Sequence, residues 1–489
     1  MLNPTDEQTA AADRFHAGDH LALQAGAGTG KTTTLALLAR RTRRHGRYLA
    51  YNRAIALDAA ARFPATVTCK TAHAMAYAAI GHLYARRLNA PRQPAWHTGQ
   101  ALGITKGVRI GERDLSTRAL SYATLRTVTR YCHSADHTLT SRHVPQLRGL
   151  NTRAEHEQLA ALVLPYAQRA WTDLQNPDDG AVRFEHDHYL KIWALSRPKI
   201  TADYLLLDEA QDTNPVVEDI FTTQRDHAQL VMVGDSAQAI YQWRGARDVM
   251  KDFDGTRLAL SQSFRFGPHL AAEANRWLDL AEAPIRLQGT HTITTELGPV
   301  TEPHAILCRT NVGAMTEVMR LLQAGHHVGL VGGGQTLRSL ALAARDLKEG
   351  RQTTHPELIL FTCWGDLQDY AAHDPAGRDL QPLVDIVDKH GTDTILEAVD
   401  RLRPEQSAQV LVSTAHKAKG REWPTVQIAE DFRPRKATQH QPTGERAAPD
   451  PVDEAEARLA YVAITRARTR LDRGGLSWID DHLVAQAPS

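Results

Sequence analysis

Short apolar runs and longer helical patterns alternate along most of the chain. Residues Leu21–Gln24 have the pattern of a short buried strand, which a glycine-rich turn and a helix from about Lys31 to His45 follow, with Gly46 ending the helix. Tyr204–Leu207 and Leu230–Val233 are continuous apolar runs, which are typical of strands covered on both faces. Strands that alternate with helices in this way predict an α/β fold with parallel sheets.

Two helical stretches interrupt this alternation. Residues from about 76 to 200 show a helical, Arg-rich pattern without clear strands, and residues 336–405 show a shorter helical one. The strand–helix series starts afresh after about residue 256, with Leu258–Leu260 as its first strand. We therefore predict two parallel-sheet domains with a helical insertion in each: a first domain at 1–75 and 201–255 around an insertion at 76–200, and a second domain at 256–335 and 406–489 around a small insertion at 336–405.

Composition excludes several other classes of protein. The 489 residues are 42% hydrophobic and 23% charged, which is ordinary for a globular protein of about three domains. No run of about 18 apolar residues occurs and the polar start of the chain resembles no secretion signal, so we expect no membrane contact and a cytoplasmic enzyme, nucleoid-associated or in the host cytoplasm if phage-encoded. The cysteines are too widely spaced for a metal site, and the histidine clusters are interpreted as scattered surface residues: Cys69, Cys132, Cys308, Cys363, His186–His188 and His326–His327.

The net charge of +1 hides an uneven distribution along the chain. Residues 1–135 hold 19 Lys and Arg against 7 Asp and Glu, whereas the remainder holds 38 against 49. Either the excess of Lys and Arg in residues 1–135 forms a basic surface that binds phosphates, or arginines such as Arg40 and Arg44 only keep one face of a helix in contact with water. Charge alone leaves both interpretations open.

A glycine-rich loop follows the first predicted strand and opens a helix, which is the context of a P-loop. Its glycines let backbone N–H groups turn towards phosphate oxygens, and the helix N-terminus adds positive charge. Lys31 is expected to contact the β- and γ-phosphates of ATP, and the Thr32 hydroxyl to bind Mg²⁺. The loop departs from the strict motif only at its first residue, and it consists of Ala25, Gly26, Ala27, Gly28, Thr29, Gly30, Lys31 and Thr32.

Two carboxylates complete the predicted nucleotide site. Asp208 and Glu209 directly follow Tyr204–Leu207, and because parallel strands end at one edge of a sheet, both are expected beside the P-loop. Asp208 is suited to hold Mg²⁺, usually through water, and Glu209 to polarise the attacking water. Acidic residues after a strand are often only a helix cap, but the apolar run before them and Ala210–Asp212 after them favour ATP hydrolysis.

Seven sequence motifs follow one another in order between residues 8 and 467. They are Gln8, Ala25–Thr32, Asp208–Asp212, Val233–Ala246, Ser263–Arg265, Thr414–Trp423 and Leu459–Ala467. In this order they resemble the motifs of superfamily 1 DNA helicases of the UvrD/Rep type. Leu49–Arg53 and Cys69–His73 resemble the branch that contains the F-box DNA helicase, here without an F-box. The resemblance implies two RecA-like domains with ATP between them, in a protein that is a monomer in isolation.

The resemblance also implies roles in binding ATP. The implied contacts are Gln8 and Phe264 with adenine, Glu422 with the sugar, and Gln238, Arg265 and Arg466 with the γ-phosphate. Arginine suits the last task because its charge is permanent and its fork is planar, and the two arginines are expected to arrive when the cleft closes. Thr33 adjoins the P-loop where many relatives carry an Arg that packs on adenine, so nucleotide discrimination is expected to be looser.

Single-stranded DNA and its junctions with duplex DNA are the implied substrate. Trp243 matches a residue on which a base stacks, an interaction that ignores base identity and suits movement along any sequence. The remaining residues of the implied DNA site, most of which match contacts to the DNA backbone, are Asn52, Thr71, His73, Tyr241, Thr414 and His416.

Three functions fit these residues. The first is an ATP-driven motor that moves 3′→5′ on single-stranded DNA, as the resemblance implies, and unwinds duplexes in repair, recombination or replication, with recombination or replication proteins as partners. The second insertion is much smaller than the corresponding domain of UvrD or Rep, which favours a translocase that strips proteins such as recombinase filaments with little unwinding. A non-catalytic nucleotide-binding adaptor is disfavoured by Lys31, Glu209, Gln238 and Arg466.

Overall fold

The chain begins with three parallel strands and the helices that connect them. The computed structural model describes residues 4–50, 52–88, 95–240, 248–373, 380–433 and 452–486. A capping box starts the first helix, since the Thr5 hydroxyl accepts from the Gln8 N–H and the Gln8 side chain accepts from the Thr5 N–H. These first elements are α1 Asp6–His16, β1 Leu21–Ala25, α2 Lys31–Arg40, β2 Gly46–Ala50, α3 Arg53–Arg62 and β3 Val67–Thr71.

Helix α2 ends at Arg40, so its predicted extension to His45 is wrong. Gly46 is the first residue of β2 and ends no helix. A Cβ at position 46 would lie 2.3 Å from the ring of Tyr204, so the glycine is needed for close packing inside the sheet. A sequence pattern cannot distinguish this requirement from a helix stop, because the contacting ring is far away along the chain.

The first insertion is helical but contains a short hairpin that the sequence pattern missed. Its two strands are antiparallel and three residues long each, too short to produce a visible alternation of polar and apolar residues. The elements of this region are α4 Ala72–Ala79, α5 Ala85–Leu88, α6 Ala95–Ala101, β4 Val108–Ile110, β5 Arg113–Leu115, α7 Thr117–Cys132, α8 Arg153–Gln175 and α9 His186–Leu195.

One of the two histidines at the start of α9 is buried and caps the helix. Asp187 bridges His73 and His133, with its carboxylate oxygens 2.8 Å and 3.0 Å from their Nε2 atoms. His188 is 7% exposed, and its Nδ1 accepts the Glu185 N–H at 2.9 Å, which caps the helix. The interpretation of this cluster as surface histidines is therefore wrong for His188.

We expect His188 to make the protein acid-labile. Burial lowers the pKa of His188 to about 4 from its ordinary 6.5, although the charge of Asp187 opposes this. Between these two values the unfolded chain binds a proton that the folded chain excludes, so stability falls by about 2 kcal/mol from pH 7.5 to pH 5. Urea unfolding at both pH values measures this loss.

The matched variant is His188→Gln, because a glutamine at this position of a capping box also accepts the N-cap N–H but does not titrate. We expect the stability difference between pH 7.5 and pH 5 to shrink in this variant by about 2 kcal/mol relative to the parent protein. An equal pH dependence in the two proteins would contradict the assignment to His188.

Three further strands complete the first sheet, together with one helix. The elements are β6 Tyr204–Leu207, α10 Pro215–Thr222, β7 Gln229–Gly234 and β8 Thr256–Leu260. All six strands pair in parallel, in the order β3-β2-β6-β7-β1-β8. Strand β8 pairs with β1 over its whole length, so Leu258–Leu260 belongs to the edge of the first sheet. The prediction that this strand begins the second sheet is therefore wrong.

The second sheet also has six parallel strands, in the order β11-β16-β15-β12-β14-β13, and a separate pair is formed by β9 and β10. This architecture confirms the predicted α/β class with two parallel-sheet domains. The elements are β9 Gln262–Ser263, α11 Pro268–Leu280, β10 Gln288–Gly289, β11 Glu296–Leu297, β12 Ala305–Cys308, α12 Asn311–Gln323, β13 Val328–Leu330, α13 Gln335–Lys348, α14 Trp364–His373, α15 Gln381–His390, α16 Thr392–Asp400, β14 Val410–Thr414, α17 Ala415–Ala418, β15 Trp423–Ile428, α18 Glu454–Ile464, β16 Ala467–Asp472 and α19 Ile479–Gln486.

The second insertion does not stand apart from its surroundings. Helices α13–α16 share one apolar core with α12 and with strands β12, β13 and β14. Ile359 and Leu360, just before α14, are buried in a cluster with residues of the first insertion, and Arg113 pairs with Asp366 at 2.7 Å. The two insertions therefore touch each other. Among the described helices, none is both long and apolar enough to cross a bilayer.

Candidate nucleotide site between the two sheets

The carboxyl ends of three neighbouring strands in the first sheet carry the candidate nucleotide residues. The P-loop follows β1, Asp208 follows β6 and Asp235 follows β7, and parallel pairing brings all three to one edge. Gly28 and Gly30 have φ angles of 76° and 75°, which lie in the left-handed region that glycine tolerates. Because α2 begins directly after Gly30, the N-terminus of this helix opens at the same edge.

Asp208 is 2% exposed and is held by three hydrogen-bond donors. The hydroxyls of Thr32 and Tyr48 both donate to its Oδ2, at 2.7 Å and 2.6 Å, and the Glu209 N–H donates to its Oδ1 at 2.9 Å. Burial and the Glu209 charge raise the pKa of Asp208, and the two hydroxyls act in the opposite direction. The oxygens of Thr32 and Asp208 are ligands of the kind that Mg²⁺ prefers, so these residues fit the predicted metal site.

Glu209 lies opposite the P-loop lysine. Its Oε1 is 3.5 Å from Lys31 Nζ, and its Oε2 accepts from Gln211 Nε2 at 2.7 Å. Although burial opposes it, the charges of Lys31 and Lys419 lower the pKa of Glu209 to about 2. Glu209 also has a φ of 52°, an uncommon angle for a residue other than glycine that is often found at functional sites. An ionised carboxylate held here is suited to orient a water molecule.

A buried network joins the predicted γ-phosphate sensor to the second domain. Gln238 Nε2 donates to Asp235 Oδ2 at 2.6 Å, and the Tyr461 hydroxyl of α18 donates to the same oxygen at 3.0 Å. The Tyr461 hydroxyl accepts in turn from the Ala27 N–H of the P-loop at 2.9 Å. Asp235 and Tyr461 are fully buried. Through this network the two domains meet directly at the P-loop.

Arg466 is a buried cation near this site. It is 1% exposed, and its guanidinium donates to the carbonyl oxygens of Val462 and Arg421, at 2.8 Å and 3.3 Å, and to Thr465 Oγ1 at 2.9 Å. Burial and the charge of Arg265 lower the pKa of Arg466 to about 9. Asp235 and Glu209 act in the opposite direction, so Arg466 lies within electrostatic reach of the nucleotide edge.

Arg265 covers the P-loop from the second domain. A Cβ at Gly28 would lie only 2.6 Å from the Arg265 Cβ, and the Gly28 carbonyl accepts from the Phe264 N–H at 2.8 Å. The Arg265 guanidinium pairs with Glu422 at 2.7 Å and donates to the Thr465 carbonyl at 3.1 Å. Glu422, the predicted sugar contact, therefore holds the side chain that is expected to reach the γ-phosphate.

The two predicted adenine contacts lie near the same glycine, Gly30. A Cβ at Gly30 would be 3.8 Å from both Gln8 Nε2 and the Phe264 ring. The Phe264 ring is 38% exposed and free to stack on a flat base, whereas Gln8 donates to Thr34 Oγ1 at 3.0 Å. Thr33 is exposed beside them.

One buried ion pair across the domains had no predicted role. Lys419 of the second domain lies 2.6 Å from Asp212 of the first, and it also donates to the Gln238 carbonyl. Burial raises the pKa of Asp212 to about 6, although Lys419 opposes this. Both residues belong to quoted motifs, so the motifs locate them, but the pairing becomes visible only in three dimensions.

Three predicted DNA contacts lie at the carboxyl ends of strands and start helices. Polar side chains and backbone N–H groups at helix starts are common contacts of DNA phosphates, so these positions fit the predicted role. Their oxygens each accept one backbone N–H, at 2.9 Å, 3.0 Å and 3.3 Å: Asn52 from Ile55, Thr71 from Ala74 and Thr414 from Lys417.

The other predicted DNA contacts are distributed differently. His73 lies on α4 and is tied to Asp187 of the first insertion, while His416 lies on α17. Tyr241 and Trp243 lie outside the described residues. Contact of this whole group with DNA stays a prediction.

Comparison with known proteins finds two helicase family models and two helicase relatives. Residues 4–253 match the family model of the UvrD/REP helicase N-terminal domain, and residues 335–472 match that of the UvrD-like helicase C-terminal domain. F-box DNA helicase protein 1 of Schizosaccharomyces pombe is 29% identical over 496 residues, which cover 94% of this chain and 56% of that protein. F-box DNA helicase 1 of Gallus gallus is 29% identical over 514 residues, which cover 97% of this chain and 49% of that protein.

The chain thus spans about half the length of the curated relatives it matches. A solved structure of Pif1 helicases concerned with unwinding at forked DNA is 13% identical, covers 65% of this chain and 57% of its own, and has a TM-score of 0.27, too distant to inform the fold. The first family match extends over half of the chain and contains the P-loop and both of its neighbouring carboxylates. The chain belongs to the UvrD/Rep helicase family.

Proposed function

We propose that the chain is an ATP-driven DNA helicase that moves 3′→5′ along single-stranded DNA, acting as a monomer in repair, recombination or replication. The observation that carries the proposal is the position of Arg265 and Arg466, which the second domain presents to a P-loop of the first. Because hydrolysis needs residues from both domains, it couples the state of the nucleotide to the distance between the two domains. The family and the names of its F-box DNA helicase relatives support DNA as the track.

The geometry suggests how each residue would act on ATP. The P-loop N–H groups and Lys31 bind the phosphates, and Glu209 accepts a proton from the attacking water. Thr32 and Asp208 would hold Mg²⁺, which neutralises charge on the β- and γ-phosphates. Arg466 stabilises the charge that develops on the γ-phosphate.

We expect Arg265 to change partner during this cycle. In the structure its Nε donates to Glu422, and we expect the γ-phosphate to replace this carboxylate as the anionic partner. Arg468 lies 3.6 Å from the other oxygen of Glu422 and can keep that carboxylate paired. The exchange would draw β9 and α18 towards the nucleotide, and loss of the phosphate would release them.

ATPase and unwinding assays test this proposal. We expect single-stranded DNA to stimulate ATP turnover more than duplex DNA or RNA, and duplexes with a 3′ tail to be unwound in preference to those with a 5′ tail. Unwinding that requires a 5′ tail would contradict the direction, and turnover indifferent to every nucleic acid would contradict the motor.

A second candidate is a translocase that displaces proteins and unwinds poorly. The observation that favours it is the second insertion, whose helices are small and share their core with the second sheet. A forked-duplex assay run beside displacement of a recombinase filament distinguishes the two: helicase action predicts strand separation, and the second candidate predicts a cleared filament with the fork intact.

A further inference from the structure

The carboxylate predicted to hold Mg²⁺ has a neighbour that no sequence motif includes. Tyr48 lies in the middle of β2, is fully buried, and donates its hydroxyl to Asp208 Oδ2 at 2.6 Å. Strand β2 pairs with β6, and Tyr48 is opposite Leu206, two residues before Asp208. The sheet therefore fixes how far the phenol reaches past the end of β6.

The ring of Tyr48 has little freedom to move. It packs against Phe63 with 4.9 Å between ring centroids, and the strand that carries it is paired on both sides, with β3 and β6. A short bond from such a rigid donor restricts the carboxylate that accepts it. Asp208 is restricted at its other oxygen by the Glu209 N–H, so both of its oxygens are anchored by the protein.

We propose that Tyr48 is a positioning residue of the magnesium site, which holds the Asp208 carboxylate in the orientation that the metal needs beside Thr32. The proposal rests on the proposed nucleotide function of this site. Partners that orient a metal-binding side chain from behind contribute strongly, and their loss generally costs 10–100-fold in metal affinity. Without the phenol, the buried Oδ2 would keep only the Thr32 hydroxyl as donor, and the carboxylate would be free to turn.

Tyr48→Phe removes the hydroxyl and keeps the ring. We expect binding of Mn²⁺, used as a spectroscopic substitute for Mg²⁺ and measured by electron paramagnetic resonance with ADP present, to weaken by about 10-fold or more. The Mg²⁺ concentration that half-saturates the ATPase should rise by a similar factor. Binding of ADP without metal should stay unchanged, because the Tyr48 hydroxyl donates to the carboxylate that would hold the metal and not to a group that would bind phosphate.

Tyr204→Phe is the matched control. Tyr204 is a fully buried tyrosine at the start of the neighbouring strand β6, and its hydroxyl has no hydrogen-bond partner among the described residues. Loss of that hydroxyl should leave Mn²⁺ affinity unaltered. A reduction of equal size in both variants would show that any buried hydroxyl of this sheet matters, and would overturn the specific role of Tyr48.

The remaining outcomes separate this inference from the proposed function. Mn²⁺ binding by Tyr48→Phe equal to that of the parent protein would overturn the inference and leave the nucleotide site intact. A parent protein that binds no Mn²⁺ with ADP would instead contradict the proposed function.

If Tyr48→Phe does not fold, the proposal can be tested on a protein that keeps the Tyr48 hydroxyl. With 3-fluorotyrosine at position 48, the fluorine resonance should shift when Mg²⁺ is added to the ADP complex, and the same label at position 204 should not respond. An unresponsive label at position 48 would overturn the proposal.

Discussion

Arg466→Ala should lower the rate of DNA-stimulated ATP hydrolysis by about 10³-fold or more, while nucleotide still binds. An arginine aimed at the γ-phosphate acts on charge that grows in the transition state, so its removal affects kcat more than binding. In the structure Arg466 is buried and donates to backbone carbonyls and to a hydroxyl, without a carboxylate close enough among the described residues to form an ion pair. A buried cation held in this way is prepared to receive an anionic ligand.

Arg470→Ala is the control for this variant. Arg470 lies on β16, four residues further along the chain, and it pairs at 3.6 Å with Glu296, on the edge strand of the second sheet. Its loss should leave turnover within twofold of the parent protein, since exposed ion pairs contribute little. Because removal of a buried side chain also costs stability, the thermal midpoint of each variant is measured with the kinetics. Arg466→Ala that is folded and turns over at the rate of the control would contradict the γ-phosphate role.

The sequence predicted those parts of the molecule that depend on neighbours along the chain. A strand, a glycine-rich turn and a helix N-terminus form one local unit, so the P-loop could be located from Ala25–Thr32 alone. Asp208 and Glu209 could be placed beside it because parallel strands end at one edge. The structure places Gln238, Arg265 and Arg466 near these residues, and their contact with a γ-phosphate stays a prediction.

The errors concern partners that are distant in sequence. Strand β8 has an ordinary apolar pattern, and only its pairing with β1 shows to which sheet it belongs. Gly46 looked like a helix stop because the ring of Tyr204 that excludes a side chain is far along the chain. In any hydrophobicity pattern Tyr48 is one more apolar residue of a buried strand, although its hydroxyl, the one polar group of the side chain, donates to Asp208.

The ion pair between Lys419 and Asp212 also joins residues that are distant in sequence. It couples the second domain to the nucleotide site of the first. It joins a loop that follows the predicted DNA contacts Thr414 and His416 to the element that carries Glu209. Breaking a buried pair of this kind generally leaves an uncompensated charge behind. A shift of the second domain on DNA would therefore move the charge of Lys419 relative to Glu209, the predicted catalytic carboxylate, whose pKa that charge lowers.

Lys31→Ala should reduce DNA-stimulated ATP turnover by about 10²-fold or more. Lys31 is the cation of the P-loop, and the charges of Glu209 and Asp235 raise its pKa despite burial, so it stays charged at neutral pH. Its removal deprives the phosphates of that charge and takes from Glu209 the partner 3.5 Å away.

The control is Lys251→Ala, at an exposed lysine of the same domain, which should turn over normally. Binding to single-stranded DNA without nucleotide should survive in Lys31→Ala, because the predicted DNA contacts Asn52, Thr71 and Thr414 start other helices. Full turnover by this variant would refute ATP hydrolysis at the P-loop.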